Sequence, residues 1–325
     1  MTSMITIQDF CDYLTTCSNV TYKSQKNKKT INQIKKAIYL TNVKDLDNNE
    51  SEFWLPSDIE DVFFQNLLGN IKPQTRLLRY ISLSALNRLI TSNTQSMLSV
   101  VSMNDRSEID YTEEYFKRVH KGNSSYWQTI EEPLNTYILS CMENEHDELT
   151  MWRLYGDDTK GACLVYSIDP NLINNTEYNL APLSYADKDH KHRELNLVYD
   201  MMTRGIKINK GIKIKFVFKR WNIWKHFFKP YDYHIENEVR LLYRHNKATK
   251  GKKWILSNLN IFTPLIEFSS YKNEDDKERL PLQIQKIILG PNFPESSLNK
   301  EILTRLMKEN LSPIGVEQST IDNYR

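Results

Sequence analysis

Three short segments of the chain carry residue types at spacings that chemistry uses. The first is Tyr233-His234-Ile235-Glu236-Asn237-Glu238-Val239-Arg240. Read as a strand over 235–242, it puts Glu236, Glu238 and Arg240 on one face and Ile235, Asn237, Val239 and Leu241 on the other. Same-face Cα atoms then lie about 6.6 Å apart. Two carboxylates beside a guanidinium can shift a pKa, hold a sugar hydroxyl or stabilise a cationic transition state. The plain alternative is a half-exposed strand whose charges sit in water. The second segment is Glu148-Leu149-Thr150-Met151-Trp152-Arg153-Leu154-Tyr155-Gly156. On a helix Trp152 and Tyr155 are neighbours at i, i+3, Glu148 lies one turn before Trp152, and Gly156 fits a helix stop. Such a pair makes either a stacking wall for a planar ring or ordinary core. The third is Arg79-Tyr80 at a strand end, followed by Asn104-Asp105-Arg106-Ser107-Glu108. Asn-Asp is a turn or N-cap signal ahead of a helix, which is a sufficient structural reason for both residues.

Other chemistries find no motif. The chain has no phosphate-binding Walker loop, GxGxxG, HExxH, GxSxG or kinase signature. Cys11, Cys17, Cys141 and Cys163 form no CxxC pair, so they read as small buried hydrophobes with free thiols in a reducing compartment. Asp189-His190-Lys191-His192 lies in a charged run and reads as a solvated loop, so no metal is expected.

The elements that must position these residues follow from periodicity. Up to about residue 72 the chain reads as helices joined by polar loops. Ser57-Asp58-Ile59-Glu60 is a capping-box pattern opening a helix, and 42–53 is a loop. From residue 73 short strands alternate with helices. Strands are expected in RLLRYI, SMLSVVS, NTYILSCM, GACLVYSI, IENEVRLLYR, KWILSNLNIF and LQIQKIIL. Helices are expected in LSALNRLITSN, SEIDYTEEYFKRVH, DELTMWRLYG, RELNLVYDMMTRGI, FVFKRWNIWKHFFK and ESSLNKEILTRLMKEN. The order is mixed, so an α+β class is favoured over a doubly wound parallel sheet.

With 325 residues, 40% hydrophobic and 26% charged, the composition is that of a globular protein with a sizeable core. No apolar run approaches the roughly 18–20 residues of a membrane-spanning helix. The start, MTSMITIQDFCDYL, shows no basic segment followed by an apolar one, so no secretory signal is expected and the reading is cytoplasmic. Net charge is +2, but the lysines are segregated: six in 23–36, five in 206–220, and Lys247, Lys250, Lys252 and Lys253 in 247–253. A basic face that attracts phosphates is one reading and solvated loops and helix faces are the other.

Taken in order, the segments resemble a widespread bacterial domain family of unknown function. Its pattern is Tyr-Arg, Asn-Asp-Pro-x-Glu, Cys-Phe-Ser, Trp-x-x-Tyr, Lys-Gly and Trp-x-x-Glu-x-Glu-x-Arg. Here Tyr80, Asn104-Asp105-x-x-Glu108, Cys141, Trp152-x-x-Tyr155, Lys160-Gly161 and Glu236-x-Glu238-x-Arg240 stand in that order over roughly 76–290. Arg106 replaces the turn proline, Met142-Glu143 replaces Phe-Ser, and Tyr233 replaces the tryptophan. The arrangement is similar to ADP-ribosyltransferases. The resemblance implies split mixed β-sheets around an NAD cleft over 73–325, with 1–72 as an N-terminal helical extension. It implies Glu238 as the catalytic glutamate and Glu236 as the acceptor-activating one. It implies Arg79, Tyr80, Asn104, Trp152 and Tyr155 around NAD, with Arg240 orienting the carboxylates. Members of this kind resemble phage-defence toxins, including messenger-RNA-modifying toxins of toxin–antitoxin–chaperone modules. RNA is thus the implied acceptor and an antitoxin protein the implied partner. The aromatic and basic mix Phe216–Lys225 suits bases and phosphates, or else is an amphipathic helix burying Trp221, Trp224 and Phe228. A binding module with structural carboxylates, a protein-directed transferase, and a hydrolase using the Glu pair are the competing readings.

Overall fold

A computed structural model describes residues 50–54, 57–69, 71–103, 107–120, 134–169, 172, 177–207, 213–244, 252–256, 260–269, 280–309 and 314–321. The first half of the chain supplies β1 (Glu50–Trp54), α1 (Ser57–Leu68), β2 (Leu77–Ile81), α2 (Leu83–Ser92), β3 (Thr94–Ser99), α3 (Ser107–His120), β4 (Thr136–Glu143), α4 (Leu149–Tyr155) and β5 (Ala162–Ile168). The middle supplies β6 (Tyr178–Pro182), β7 (Ser184–Tyr185), α5 (Arg193–Thr203), β8 (Ile206–Lys207), β9 (Lys213–Val217), α6 (Trp221–Trp224) and β10 (Phe228–Lys229). A 3₁₀ turn, Tyr231–Glu236, then leads into β11 (Glu238–Arg244), β12 (Lys252–Leu256), β13 (Phe262–Ser269), β14 (Leu282–Leu289), α7 (Ser296–Glu309) and β15 (Gly315–Gln318). The class is α+β, with a mixed open sheet and several helices.

Two compact units divide the chain, and their segments interleave. The described residues of 50–70, 103–133 and 181–234 make one, and those of 71–102, 134–180 and 235–325 the other. The expected division at 72/73 separates β1 and α1 from the later segments with which they pack.

The second unit is built on a 10-stranded sheet in the order β12-β13-β3-β4-β2-β5-β14-β15, with β11 and β6 attached through β4. The run ACLVYSI of β5 is almost wholly buried, as a central strand covered on both faces must be. In β3 burial alternates along TQSMLS, the signature of a half-buried strand. β4 organises the sheet. Along one edge, residues 136–142 pair with β11. On the other, Tyr137 and Ile138 pair with β3 while Met142 and Glu143 pair with β2. Among the described residues, Leu139–Cys141 therefore lie where the sheet divides into a β3 branch and a β2 branch. One face carries the main core, including Leu77, Leu139, Leu164, Val239, Leu241 and Ile287, with Leu86 and Leu89 of α2 and Leu303 and Met307 of α7 packed on it. The other carries a smaller cluster of Leu78, Tyr80, Met142, Met151, Trp152, Cys163, Val165 and Ile288.

The first unit is held by aromatic rings and buried ion pairs. β1 runs parallel to β9, and β8 pairs antiparallel with β9. Rings stack in pairs at centroid separations of 5.6 Å (Phe63–Phe218), 5.2 Å (Phe64–Trp224) and 5.8 Å (Phe116–Trp221). Arg220 donates to Asp61 at 2.6 Å, Lys225 to Glu113 at 2.8 Å and Lys229 to Glu108 at 3.0 Å, all out of water.

Several expectations are corrected here. The stretch FVFKRWNIWKHFFK is not one helix: its start belongs to β9, α6 is a single turn, and Phe228 opens β10. β1 claims Lys213–Val217 as its partner, a tertiary pairing that overrides the helical spacing. Part of the supposed loop 42–53 is β1 itself. KWILSNLNIF divides into β12 and the start of β13. Glu60 does not close a capping box; its Oε1 accepts from the backbone N–H of Arg220 at 2.8 Å. His192 is buried rather than solvated, its Nε2 2.9 Å from the carbonyl of Lys229, and burial lowers its pKa to about 4. Cys141 and Cys163 are free and buried, as expected; Cys11 and Cys17 lie outside the described residues. Among the described residues no helix is long and apolar enough to cross a membrane, and no group of acids, histidines or cysteines has metal-site geometry.

Candidate active site

The carboxylates of the Glu-x-Glu-x-Arg segment come from two kinds of backbone. β11 begins at Glu238, so Glu238 and Arg240 share a face of the sheet, opposite Met142 and Ser140 of β4. Glu236 ends the 3₁₀ turn, and Asn237 between the two acids has φ 39°, the left-handed region. The expected strand over 235–242 is thus broken at Asn237. That residue is pinned to the end of β4, where its carbonyl accepts from the N–H of Glu143 at 3.0 Å. Asparagine tolerates this conformation better than most residues, which is a physical reason for its place between the acids.

Glu238 and Arg240 form a two-point ion pair: Nε donates to Oε1 at 2.7 Å and an Nη to Oε2 at 3.2 Å. Arg240 is 1% exposed and Glu238 6%, so the pair is desolvated and each charge depends on the other. The fork fixes the carboxylate in direction as well as charge. Across from Arg240, Ser140 is exposed in mid-strand, between the stretches of β4 that pair with β3 and with β2. Glu236 is also buried, and its Oε1 accepts from the hydroxyl of Tyr155 at 2.6 Å. Tyr155 itself is 40% exposed. The structure therefore brings Glu236, Glu238, Arg240 and Tyr155 into one region of the second unit.

Tyr80 and Trp152 lie on the same sheet face but are committed to structure. Leu78 is in register with Met142, so Leu78 and Tyr80 face as Glu238 does. The Tyr80 hydroxyl oxygen accepts from the N–H of Glu148 at 2.7 Å, at the mouth of α4, and burial holds its pKa far above the usual phenol value. Trp152 is fully buried, edge-on to Tyr80 at 4.9 Å, and its Nε1 donates to Asp147 at 2.8 Å. Its indole supports the wall rather than offering a free stacking surface. Arg79 follows the strand alternation to the opposite face, with Leu77, Leu164 and Cys141, where it hydrogen-bonds Tyr166. It is not brought together with Glu238. Asn104 lies outside the described residues.

The motif acid Glu108 belongs to the first unit. Lys229 binds it, and the same ammonium sits 4.9 Å from the ring centroid of Tyr233. Asp147 and Lys229 both escaped the sequence reading. A trace of each exists, as an acid five residues before a tryptophan and a lysine inside the apolar run FFKPYDY. The basic and aromatic block 216–228 is largely internal, with Lys219 exposed: Trp221, Trp224 and Phe228 are core, and Arg220 and Lys225 are bound in buried ion pairs.

Residues 151–241 match the model of a family described as a protein of unknown function (DUF2971). That span contains Trp152-x-x-Tyr155, Lys160-Gly161 and Glu236-x-Glu238-x-Arg240. No curated protein and no solved structure matches the chain.

Proposed function

We propose that the protein is an ADP-ribosyltransferase that cleaves the nicotinamide glycosidic bond of NAD⁺ and passes ADP-ribose to a nucleic acid, RNA in preference to DNA. The observation that carries the reading is the paired setting of the carboxylates: Glu238 fixed by the fork of Arg240, and Glu236 held separately by Tyr155, beside the division of the β4 sheet. A sheet that divides in this way is compatible with the split arrangement around an NAD cleft. When the C1′–N bond breaks, the electron pair leaves with nicotinamide and the ribose gains oxocarbenium character. Glu238, oriented by the fork of Arg240, would stabilise that cation electrostatically. Glu236 would take the proton from the acceptor group as its oxygen or nitrogen bonds to C1′. Tyr155, exposed yet bonded to Glu236, lies where an entering acceptor would meet the carboxylate. Such an activity fits a cytoplasmic toxin or phage-defence effector restrained by an antitoxin protein.

A second reading has its own observation. Both Glu238 oxygens are engaged by Arg240, as a purely structural ion pair would have them, and the module would then bind nucleic acid or protein without catalysis.

Labelled NAD⁺, incubated with the protein and a bacterial lysate separated into RNA, DNA and protein, decides between them. Label is expected on RNA and should fall at least about a hundredfold in Glu238→Gln. Glu236→Gln should keep cleavage of NAD⁺ to water while losing transfer. The thermal midpoint of each variant is measured alongside, because Glu238→Gln removes the charge from a buried ion pair with Arg240. Intact NAD⁺ and no label on any fraction would sink the transferase; label on protein alone would sink the RNA acceptor.

A further inference from the structure

The hairpin β12–β13 exposes three large apolar side chains together. Trp254 is 57% exposed, Leu256 54% and Phe262 73%. Register puts them on one face, since Trp254 and Leu256 are two residues apart on β12 and Phe262 is the partner of Leu256. β3 pairs with β13 from Leu265 to Ser269, so Phe262–Pro264 and their β12 partners overhang that pairing. The diagonal from Trp254 to Phe262 spans about 7–8 Å between Cα atoms. Two rings at that separation can each take a base of an extended strand.

Charge identifies the occupant. Lys252 lies on the same face as Trp254 and holds its Nζ 5.2 Å from the indole centroid. Lys253 follows on the opposite face, where its Nζ binds Glu267 at 2.6 Å, and 247–253 carries four lysines and no acid. Lysines on an edge strand ordinarily discourage sheet extension. That role does not account for two exposed aromatic rings beside Lys252, whereas rings with an ammonium group on the same face are how single strands are held, bases on rings and phosphates on cations. We propose that this face binds single-stranded nucleic acid, with Trp254 and Phe262 as stacking residues and Lys252 as the phosphate contact. The inference rests on the acceptor class proposed above and supplies that acceptor's docking surface.

The test uses the full chain and a fluorescent oligouridine of about 12 nucleotides, a length within the range of single-strand binding sites. Anisotropy should report binding that weakens as salt rises. Trp254→Ala and Phe262→Ala should each weaken it roughly five- to a hundredfold. Trp254→Phe, which keeps a ring, should retain most of the affinity, and Trp254→Leu, which keeps apolar area alone, should behave as the alanine variant. No binding by the unsubstituted protein, or full binding by Trp254→Leu, overturns the proposal. So does a dimer in light scattering that Trp254→Ala dissolves, because the face would then belong to a second copy. Cleavage of NAD⁺ to water, followed without RNA, separates the two readings. Trp254-dependent RNA binding without cleavage removes the enzyme and leaves the docking face, while cleavage without RNA binding removes the docking face alone.

Discussion

Glu60 shows how far burial can move a single residue. Its side chain is fully inside the first unit, one oxygen accepting from the N–H of Arg220 and Oε2 without a hydrogen-bond partner. Desolvation, helped by the neighbouring Asp61 charge and opposed by Arg220, raises its pKa to about 8. Because the folded state then holds a proton that the unfolded state releases above about pH 4.5, stability falls as pH rises from there to about 8. His192 works in the other direction. With its pKa lowered to about 4, the folded state resists a proton that the unfolded state takes up below about 6.5, so stability rises with pH between those values. The two effects oppose one another up to about pH 6.5, and from there to about 8 only the Glu60 decline is left of the pair. Glu60→Gln keeps an acceptor for Arg220 and removes the titration. Denaturant unfolding at a series of pH values should show a decline between pH 6.5 and about 8 in the parent, on the order of 2 kcal/mol, that is absent from the variant. An equal decline in both would place the titrating group elsewhere.

At the scale of elements, the connection from α4 to β5 is held in an uncommon shape. Asp157, Asp158 and Thr159 have φ 54°, 47° and 73°, three successive non-glycine residues in the left-handed region. Each costs roughly 1–2 kcal/mol, which the surrounding hydrogen bonds must offset. Thr159 N–H reaches the carbonyl of Trp152 at 3.2 Å, Gly161 N–H that of Gly156 at 2.8 Å, and Asn292 N–H that of Thr159 at 3.1 Å. The turn is pressed so closely on β2 that a Cβ on Gly161 would lie 2.1 Å from the carbonyl oxygen of Ile81. Gly161→Ala should therefore destabilise the protein by more than about 3 kcal/mol, measured as a fall in the denaturant midpoint. A loss under 1 kcal/mol would mean the backbone yields there. This explains the Lys-Gly spacing after Trp-x-x-Tyr in terms of packing. Elements with a single uninterrupted period were legible in the sequence: SEIDYTEEYFKRVH is α3 to the residue, and LQIQKIIL is β14. The carboxylate pair was legible too, but its backbone was not. A period of two runs through 235–242 unbroken, and only the left-handed Asn237 shows that Glu236 stands outside the strand. The aromatic block at 216–228 failed for a different reason. Its helical spacing is local, while its pairing with β1 lies more than 150 residues away in sequence. The exposed ring pair at Trp254 and Phe262 went unread because one run of apolar residues conceals a hairpin.

For the molecule as a whole, the interleaving of the two units makes the segment 50–70 part of a core and not an appendage. From it come Asp61, which binds Arg220 at 2.6 Å and accepts from Trp224 Nε1 at 3.2 Å, and Phe63 and Phe64, which stack on Phe218 and Trp224. Removing it takes away Asp61, the buried ion-pair partner of Arg220, a loss of about 3–5 kcal/mol. It also strips two phenylalanine rings, each worth about 2 kcal/mol, and the whole parallel pairing of β1 with β9. The first two alone come to about 7–9 kcal/mol, comparable with the 5–15 kcal/mol that stabilises an ordinary domain. A chain of 73–325 should therefore lose the first unit even though it retains every candidate catalytic residue in the second. Limited proteolysis with peptide mapping, run against 50–325, should show new cleavage within 107–120 and 181–234, with β4, β5 and β14 still protected. Equal protection of 107–120 and 181–234 in both chains would mean that the second unit and the remaining first-unit segments hold their structure without β1 and α1, and that the buried pair Asp61–Arg220 contributes little.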